Sequence, residues 1–425
     1  MDLSRRQLLQ VGLLGAAATA LGTVAGCSSD AASDSSLKLW YWSGGLDPKV
    51  LTGAGKQFPK SHLKSSVIGG DFKQKLLTTF AGRKFVPDIT GIKGEDIASF
   101  FPDASRFHDL KSLGADKLQS QYLAWKWKQG ITKDGVMIGF PIDIGPTGLF
   151  YRADVFGKAG LPTEPATVGS QMSTWDDFFK AGVELKKALP DTYLVVDSPS
   201  VFGLVMGQST KQFVDENDTF IGDQDHVRNA WNTAMQALKL GITSKIPDGS
   251  PDWNAGVANG TLPADIGAAW HASDISGAAP KTTGKWRVAA NPGGPADIGG
   301  SFLAIPKEAG DPELAFKVLT WILSADNQAT AFTDVALFPS TPATYQMPAM
   351  LKGDPFFGGQ KTIDVFGPSA EKVPVAYVSP FDAQVRAPFF AELADVDSGK
   401  DPDSAWKDAV SQAKVAAKQA GLKVS

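Results

Sequence analysis

Side chains that could serve as nucleophile, base or metal ligand are few and scattered in this 425-residue chain. The four histidines, His62, His108, His226 and His271, stand far apart, and none falls in an HExxH or comparable ligand spacing. One cysteine, Cys27, leaves no thiolate zinc site and no disulfide framework. No serine occupies a G-x-S-x-G elbow. Gly53-Ala54-Gly55-Lys56 fails the spacing of a phosphate-binding loop, and Asn291-Pro292-Gly293-Gly294-Pro295 reads as a turn rather than G-x-G-x-x-G. The 45 acidic residues leave open a carboxylate pair at glycosidase separation. No catalytic residue, metal or cofactor is expected from the remaining patterns.

Cys27 matters for its place. It follows Val24-Ala25-Gly26 at the end of an apolar run from Leu8 to Val24, with Arg5-Arg6 upstream. Positive start, apolar middle and small-residue end are the parts of an export signal. Arg5-Arg6 resembles the twin-arginine address, with the general export route left open. Val24-Ala25-Gly26-Cys27 resembles the bacterial lipobox, whose cysteine sulfur is acylated and becomes the new N-terminus. The expectation is a signal peptide over 1–26 and a lipid-attached tether over 27–36. The tether is rich in serine, alanine and aspartate. The protein would then sit on the extracytoplasmic face of the cell membrane. No later apolar run is long enough to span a bilayer.

What remains is long enough for two domains. Net charge is −4 and no basic stripe occurs, which argues against nucleic acid. Strand and helix signals alternate. Leu37–Trp42, Ser65–Ile68 and Asp88–Ile92 read as strands, with helical spacing from Phe72 to Phe80 between the last two. Val136–Phe140 and Thr147–Tyr151 read as strands around a proline-bounded connection. Thr174-Trp175-Asp176-Asp177 and Asp311-Pro312-Glu313 read as helix starts, each a cap followed by acid in the first turn. A last helix runs from about Asp403 to Ala420, with Trp406, Val410, Ala413 and Ala417 inward. Such alternation predicts α/β layering with mostly parallel sheets flanked by helices.

Several segments in order resemble the extracellular solute-binding proteins of sugar ABC importers, the maltose-binding-like family. They are Gly139–Phe156, Ala159–Pro162 with Thr174–Phe178 beyond an insertion-like 163–173, Trp270-His271, Gly299–Lys307, and Leu337–Ser340. The resemblance covers most of 37–425. It implies a two-lobed periplasmic-binding-protein-like fold with ligand in the interlobe cleft. Lobe one would be 37–144 plus 300–338, and lobe two 145–299 plus 339–425. It implies no enzyme but a monomeric carrier of a sugar, whose partners are ABC permease subunits in the membrane and a separate cytoplasmic ATPase. The 11 tryptophans favour a di- or oligosaccharide. A glycerophosphodiester, peptide or polyamine on the same scaffold, or a secreted glycosidase, are the rival readings.

Sugars offer apolar C–H faces and hydroxyl rims, so a site wants aromatic faces and planar hydrogen-bonding groups. In open α/β sheets these lie at strand ends. The expected ligand contacts are therefore Tyr41, Trp42 and Ser43, then Asp71, Glu95, Asp96 and Asp143, then Tyr151, Trp270, His271, Gly300 and Ser301. Trp175, Trp321 and Trp406, on helix faces, are expected to pack in cores.

Overall fold

The computed structural model describes residues 36–424; the expected export signal, Cys27 and most of the expected tether lie outside them. Ser36, which the sequence assigns to the tether, is buried and begins the fold. Among the described residues, nine strands form two sheets. Six of them, β1 (Lys38–Tyr41), β2 (Lys64–Val67), β3 (Ile89–Lys93), β4 (Phe140–Ile144), β8 (Ser301–Ala304) and β9 (Phe338–Pro339), lie in the order β2-β1-β3-β8-β4-β9. The other three, β5 (Thr147–Arg152), β6 (Ala264–Ala268) and β7 (Trp286–Ala289), lie in the order β6-β5-β7. Each sheet carries its own helices, giving two lobes joined by the segments that run between β4 and β5, between β7 and β8, and after β9.

The expectation of mostly parallel sheets is corrected. β1 pairs β2 and β3 in parallel, but β3–β8, β8–β4 and β4–β9 are antiparallel, and the three-stranded sheet is antiparallel throughout. The cause is connectivity. β3 ends at Lys93 opposite the first residue of β8, Ser301. A chain returning from the other lobe enters the sheet at the edge where the early strands leave it, and so must run back against them.

The apolar strands reflect burial on both faces. Successive residues point to opposite sides of a sheet. Leu303 accordingly joins one core with Leu39, Ile89, Phe140 and Leu319, while Phe302 joins another with Phe72, Phe80 and Phe107. Likewise Leu149 and Tyr151 of β5 face one core of the second lobe, and Phe150 faces another. The strand expected at Val136–Phe140 instead begins at Phe140 and runs through Pro141 to Ile144. Pro141 is tolerated because the pairing with β8 shifts register between Pro141 and Asp143, where no regular ladder bond is required.

Helix starts follow their caps. Thr174 accepts from Asp177 N, and Asp311 accepts from Leu314 N ahead of Pro312. The final helix, Pro402–Gln419, buries Ala405, Ala409, Ala413 and Ala417 against the helix Asp382–Asp397. Its inward stripe is therefore alanine, which lets two backbones approach closely, and Trp406 and Val410 flank it half-buried. Trp175 and Trp406 pack against one core and Trp321 against another. The segment 163–173 contributes a short helix, Pro165–Gln171, anchored by buried Val168.

Candidate functional site

A cavity of about 1000 Å³ lies between the two sheets. Strand ends build it. Trp42 and Ser43 follow β1, Lys93 to Glu95 close β3, Asp143 comes from β4, and Gly299 to Ser301 lead into β8. Opposite them stand Ile266 to Ala268 of β6, Trp270 and His271. The helix Ser198–Gly207, Asp248 and the irregular segment 373–380 complete the lining.

The two tryptophans are fixed before any ligand arrives. Trp42 fits a slot that only glycines leave open: a Cβ at Gly91 would stand 2.6 Å from its ring and one at Gly45 2.7 Å. Phe72 meets it edge-on at 5.3 Å, and Lys93 Nζ lies 5.7 Å from the ring centre. Trp270 donates from Nε1 to Ile298 O at 3.0 Å and lies over Gly299. Each lobe thus presents one half-buried indole to the same space.

His271 opens the helix His271–Ala278 directly after Trp270. Its Nε2 lies 3.1 Å from Asp265 Oδ2 and its Nδ1 3.1 Å from Asp274 Oδ2. Burial alone would lower its pKa, but the bonds to Asp265 and Asp274 and the charge of Asp248 outweigh it and hold the imidazole up at about 10. At neutral pH it is a cation with both ring nitrogens occupied, which makes it a fixed donor rather than a base.

The cleft floor lies where the two connecting segments cross. Gly145 N donates to Asp297 Oδ1 at 2.8 Å, and a Cβ on Gly145 would stand 1.9 Å from Ile298 O. Asp143 is 4 % exposed, and burial pushes its carboxyl up to about 7 against the pull of Lys126. Asp297 is raised by burial in the same way. Lys126 is wholly buried and its pKa is lowered by burial, with Asp297, Asp143 and Glu95 opposing. Its Nζ sits 4.0 Å from the centre of the Phe302 ring. Neither Lys126 Nζ nor Asp143 Oδ1 makes a hydrogen bond among the described residues.

Of the residues expected at the ligand, the cavity brings together Trp42, Ser43, Glu95, Asp143, Trp270, His271, Gly300 and Ser301. Four lie elsewhere. Tyr41 is turned into the core by strand alternation. Asp71 is spent as the cap of the helix Phe72–Gly82, accepting from Gln74 N at 2.9 Å. Asp96 pairs with Lys73 at 3.0 Å, off the cavity. Tyr151 is at the far end of β5 from the crossing, fully buried, its hydroxyl donating to Thr163 O at 2.7 Å. Sequence reasoning missed Lys126, Asp197, Asp248, Asp297, Asp382 and the 373–380 segment. Lys126 sits between Trp125 and Trp127 in a short helix, a pattern that reads as amphipathic surface.

The family model for bacterial extracellular solute-binding proteins matches residues 65–357. The chain belongs to that family. It is 25% identical over 395 residues to a lactose-binding protein of Rhizobium radiobacter, covering 87% of this chain and 91% of that one. It is 24% identical over 325 residues to an arabinooligosaccharide-binding protein of Bacillus subtilis (strain 168), covering 70% and 72%. A solved extracellular solute-binding protein of family 1 superposes with a TM-score of 0.83 at 27% identity, covering 90% of this chain and 99% of that one. The fold is the two-lobed one of the periplasmic binding proteins. No helix among the described residues is long and apolar enough to cross a membrane.

Proposed function

We propose that this chain captures a di- or oligosaccharide between its lobes and delivers it, unaltered, to the membrane subunits of an ABC importer. The observation that carries this reading is the pair of preset indoles, Trp42 and Trp270, one from each lobe on one cavity. Aromatic faces take the C–H sides of sugar rings, and the carboxylates and hydroxyls around them take the hydroxyl rims. The sugars named for the two relatives, lactose and arabino-oligosaccharides, are of that size class. His271, both ring nitrogens bonded to Asp265 and Asp274, meets the ligand only through its ring in this reading. The ligand contacts are Trp42, Ser43, Glu95, Asp143, Trp270, His271, Gly300 and Ser301.

The lobes divide in this proposal at 37–144 plus 300–338 and 145–299 plus 339–425. The crossing segments rotate as hinges when ligand closes the cleft. Acylated Cys27 holds the protein, as a monomer, at the outer face of the membrane. A second reading has one observation of its own. The lining is rich in acids, with Glu95, Asp143, Asp197, Asp248, Asp274, Asp297 and Asp382 against Lys93, Arg386 and His271, which favours a cationic solute such as a polyamine.

A thermal-shift screen against mono-, di- and oligosaccharides and polyamines separates these readings. A ligand at a hundredfold excess over its dissociation constant stabilises by about 2.7 kcal/mol. A shift with one class of sugar, and no release of dye from the matching chromogenic glycoside, is the expected result. A shift with polyamines alone overturns the sugar, and dye release overturns the carrier.

A further inference from the structure

We propose that Asp248, Asp265 and His271 form a divalent-metal site suited to Zn²⁺ in the cleft wall of the second lobe. Three separate stretches deliver the donors: the loop after Pro247, strand β6, and the first residue of the helix His271–Ala278. One ligand atom from each lies within 4.8 Å of the others. Asp265 Oδ2 and His271 Nε2 are 3.1 Å apart. Two donors on a tetrahedral ion with bonds of about 2.0–2.1 Å stand roughly 3.3 Å apart, so this pair is already at ligand spacing. Asp248, exposed on its loop beside Gly249, is the one that moves in.

The surroundings are those of a metal-binding histidine. Such a ring hands its other N–H to a carboxylate, which fixes the tautomer and the ring plane. Asp274 Oδ2 stands at 3.1 Å from Nδ1 to receive it. Trp253 Nε1 donates to Asp265 Oδ2 at 2.8 Å and orients that carboxylate. Gly267 makes room for the ring: a Cβ there would stand 2.7 Å from His271 Cδ2. The two inner donors are therefore buried and aligned in advance, and Asp248, His271 and Asp274 border the cavity, which supplies the way in. The proton now shared between Nε2 and Asp265 leaves to solvent as the ion takes its place.

A set of one imidazole and two carboxylates selects Zn²⁺ over Mg²⁺ and Ca²⁺, which favour all-oxygen shells. Three protein ligands leave a fourth position for water or for an oxygen of a bound solute. The site would thereby add an electrophilic contact to a cleft otherwise built of indoles and carboxylates.

The test is calorimetric titration of the full-length chain with ZnCl₂, without sugar, beside Asp248→Asn and Asp274→Asn. Both side chains are solvent-accessible, so the variants keep the fold, which their unfolding curves check. We expect one ion per chain, undisturbed by equimolar Mg²⁺. Binding should weaken about 10- to 100-fold in Asp274→Asn and at least as much in Asp248→Asn. Absence of one-to-one binding, or binding that both variants leave unchanged, overturns the site. Since no sugar is present, either result leaves the carrier reading to its own experiment.

Discussion

The cleft holds two buried charged groups that are built in opposite ways. In the wall, His271 is a cation whose two ring nitrogens each meet a carboxylate, and Asp265 is held in turn by Trp253. At the floor, Lys126 and Asp143 are at least as deeply buried, yet Lys126 Nζ and Asp143 Oδ1 make no hydrogen bond among the described residues. Desolvation without hydrogen bonding is costly, so saturation in the wall and its absence at the floor call for different explanations. The wall belongs to one lobe and keeps its geometry whatever the lobe angle. The floor lies on the crossing segments, where Gly145 and Ile298 touch backbone to backbone. Any rotation between the lobes changes those contacts. Unspent bonding capacity there is available to a ligand hydroxyl or a second lobe angle; in the wall both ring nitrogens of His271 are already engaged.

The largest effect should come from the floor. Lys126→Met removes the cation whose charge offsets the desolvation of buried Asp143 and half-buried Asp297, and leaving buried charge uncompensated costs about 3–5 kcal/mol. Denaturant unfolding should show the loss growing from pH 6 to pH 8. Asp143 sits at about 7 and can avoid the penalty by taking a proton only on the acid side. A flat or absent loss would mean that the floor charges do not feel one another. Next comes His271→Gln, measured with a chelator present. The folded-state pKa of about 10 lies above the ordinary 6.5, so the stability it contributes is full below pH 6.5 and lost as pH rises to 10. The variant should fall short of the parent by several kcal/mol at pH 6, and the gap should close as pH rises towards 10. A deficit that does not depend on pH would show the wall to be held by packing. The third is Gly145→Ala, whose Cβ meets Ile298 O at 1.9 Å. Forcing the crossing apart should cost about 1–3 kcal/mol, with a change in small-angle scattering on ligand addition. Unaltered closure would place the hinge elsewhere.

The same contrast marks what the sequence could reveal. Local chemistry was legible: Thr174 and Asp311 announce their helices because a cap bonds its own first turn. Trp42 and Trp270 were legible as cleft residues because each stands just past a strand. Strand direction was not, since antiparallel pairing of β3 with β8 joins residues some two hundred positions apart. Nor was the floor. Asp143 could be placed beside the boundary between the lobes at 144/145, but its partners Lys126 and Asp297 come from a short helix and a distant loop, and only the closed chain path brings them together. The segment 373–380 has no regular structure, so no periodicity marks it as cleft lining.

Asp71 offers the smallest and sharpest test, because it was expected in the cleft and is found capping a helix. Its carboxylate accepts from Gln74 N at 2.9 Å, on the surface, outside the cavity lining. Phe72, the first residue of that helix, packs edge-on against Trp42. The cap could therefore reach the ligand only through the seating of the indole. Asp71→Ala should cost about 1 kcal/mol of stability, the usual worth of a cap. Because Gly45 and Gly91 hold Trp42 independently of the helix start, the dissociation constant for the captured solute should stay unchanged. Trp42→Ala, measured beside it, should weaken binding tenfold or more, a loss of at least about 1.4 kcal/mol. A fall in affinity for Asp71→Ala with Trp42 fluorescence unmoved would return Asp71 to the ligand site; a fall accompanied by a shifted Trp42 signal would show that the helix, rather than the glycine slot, sets the platform.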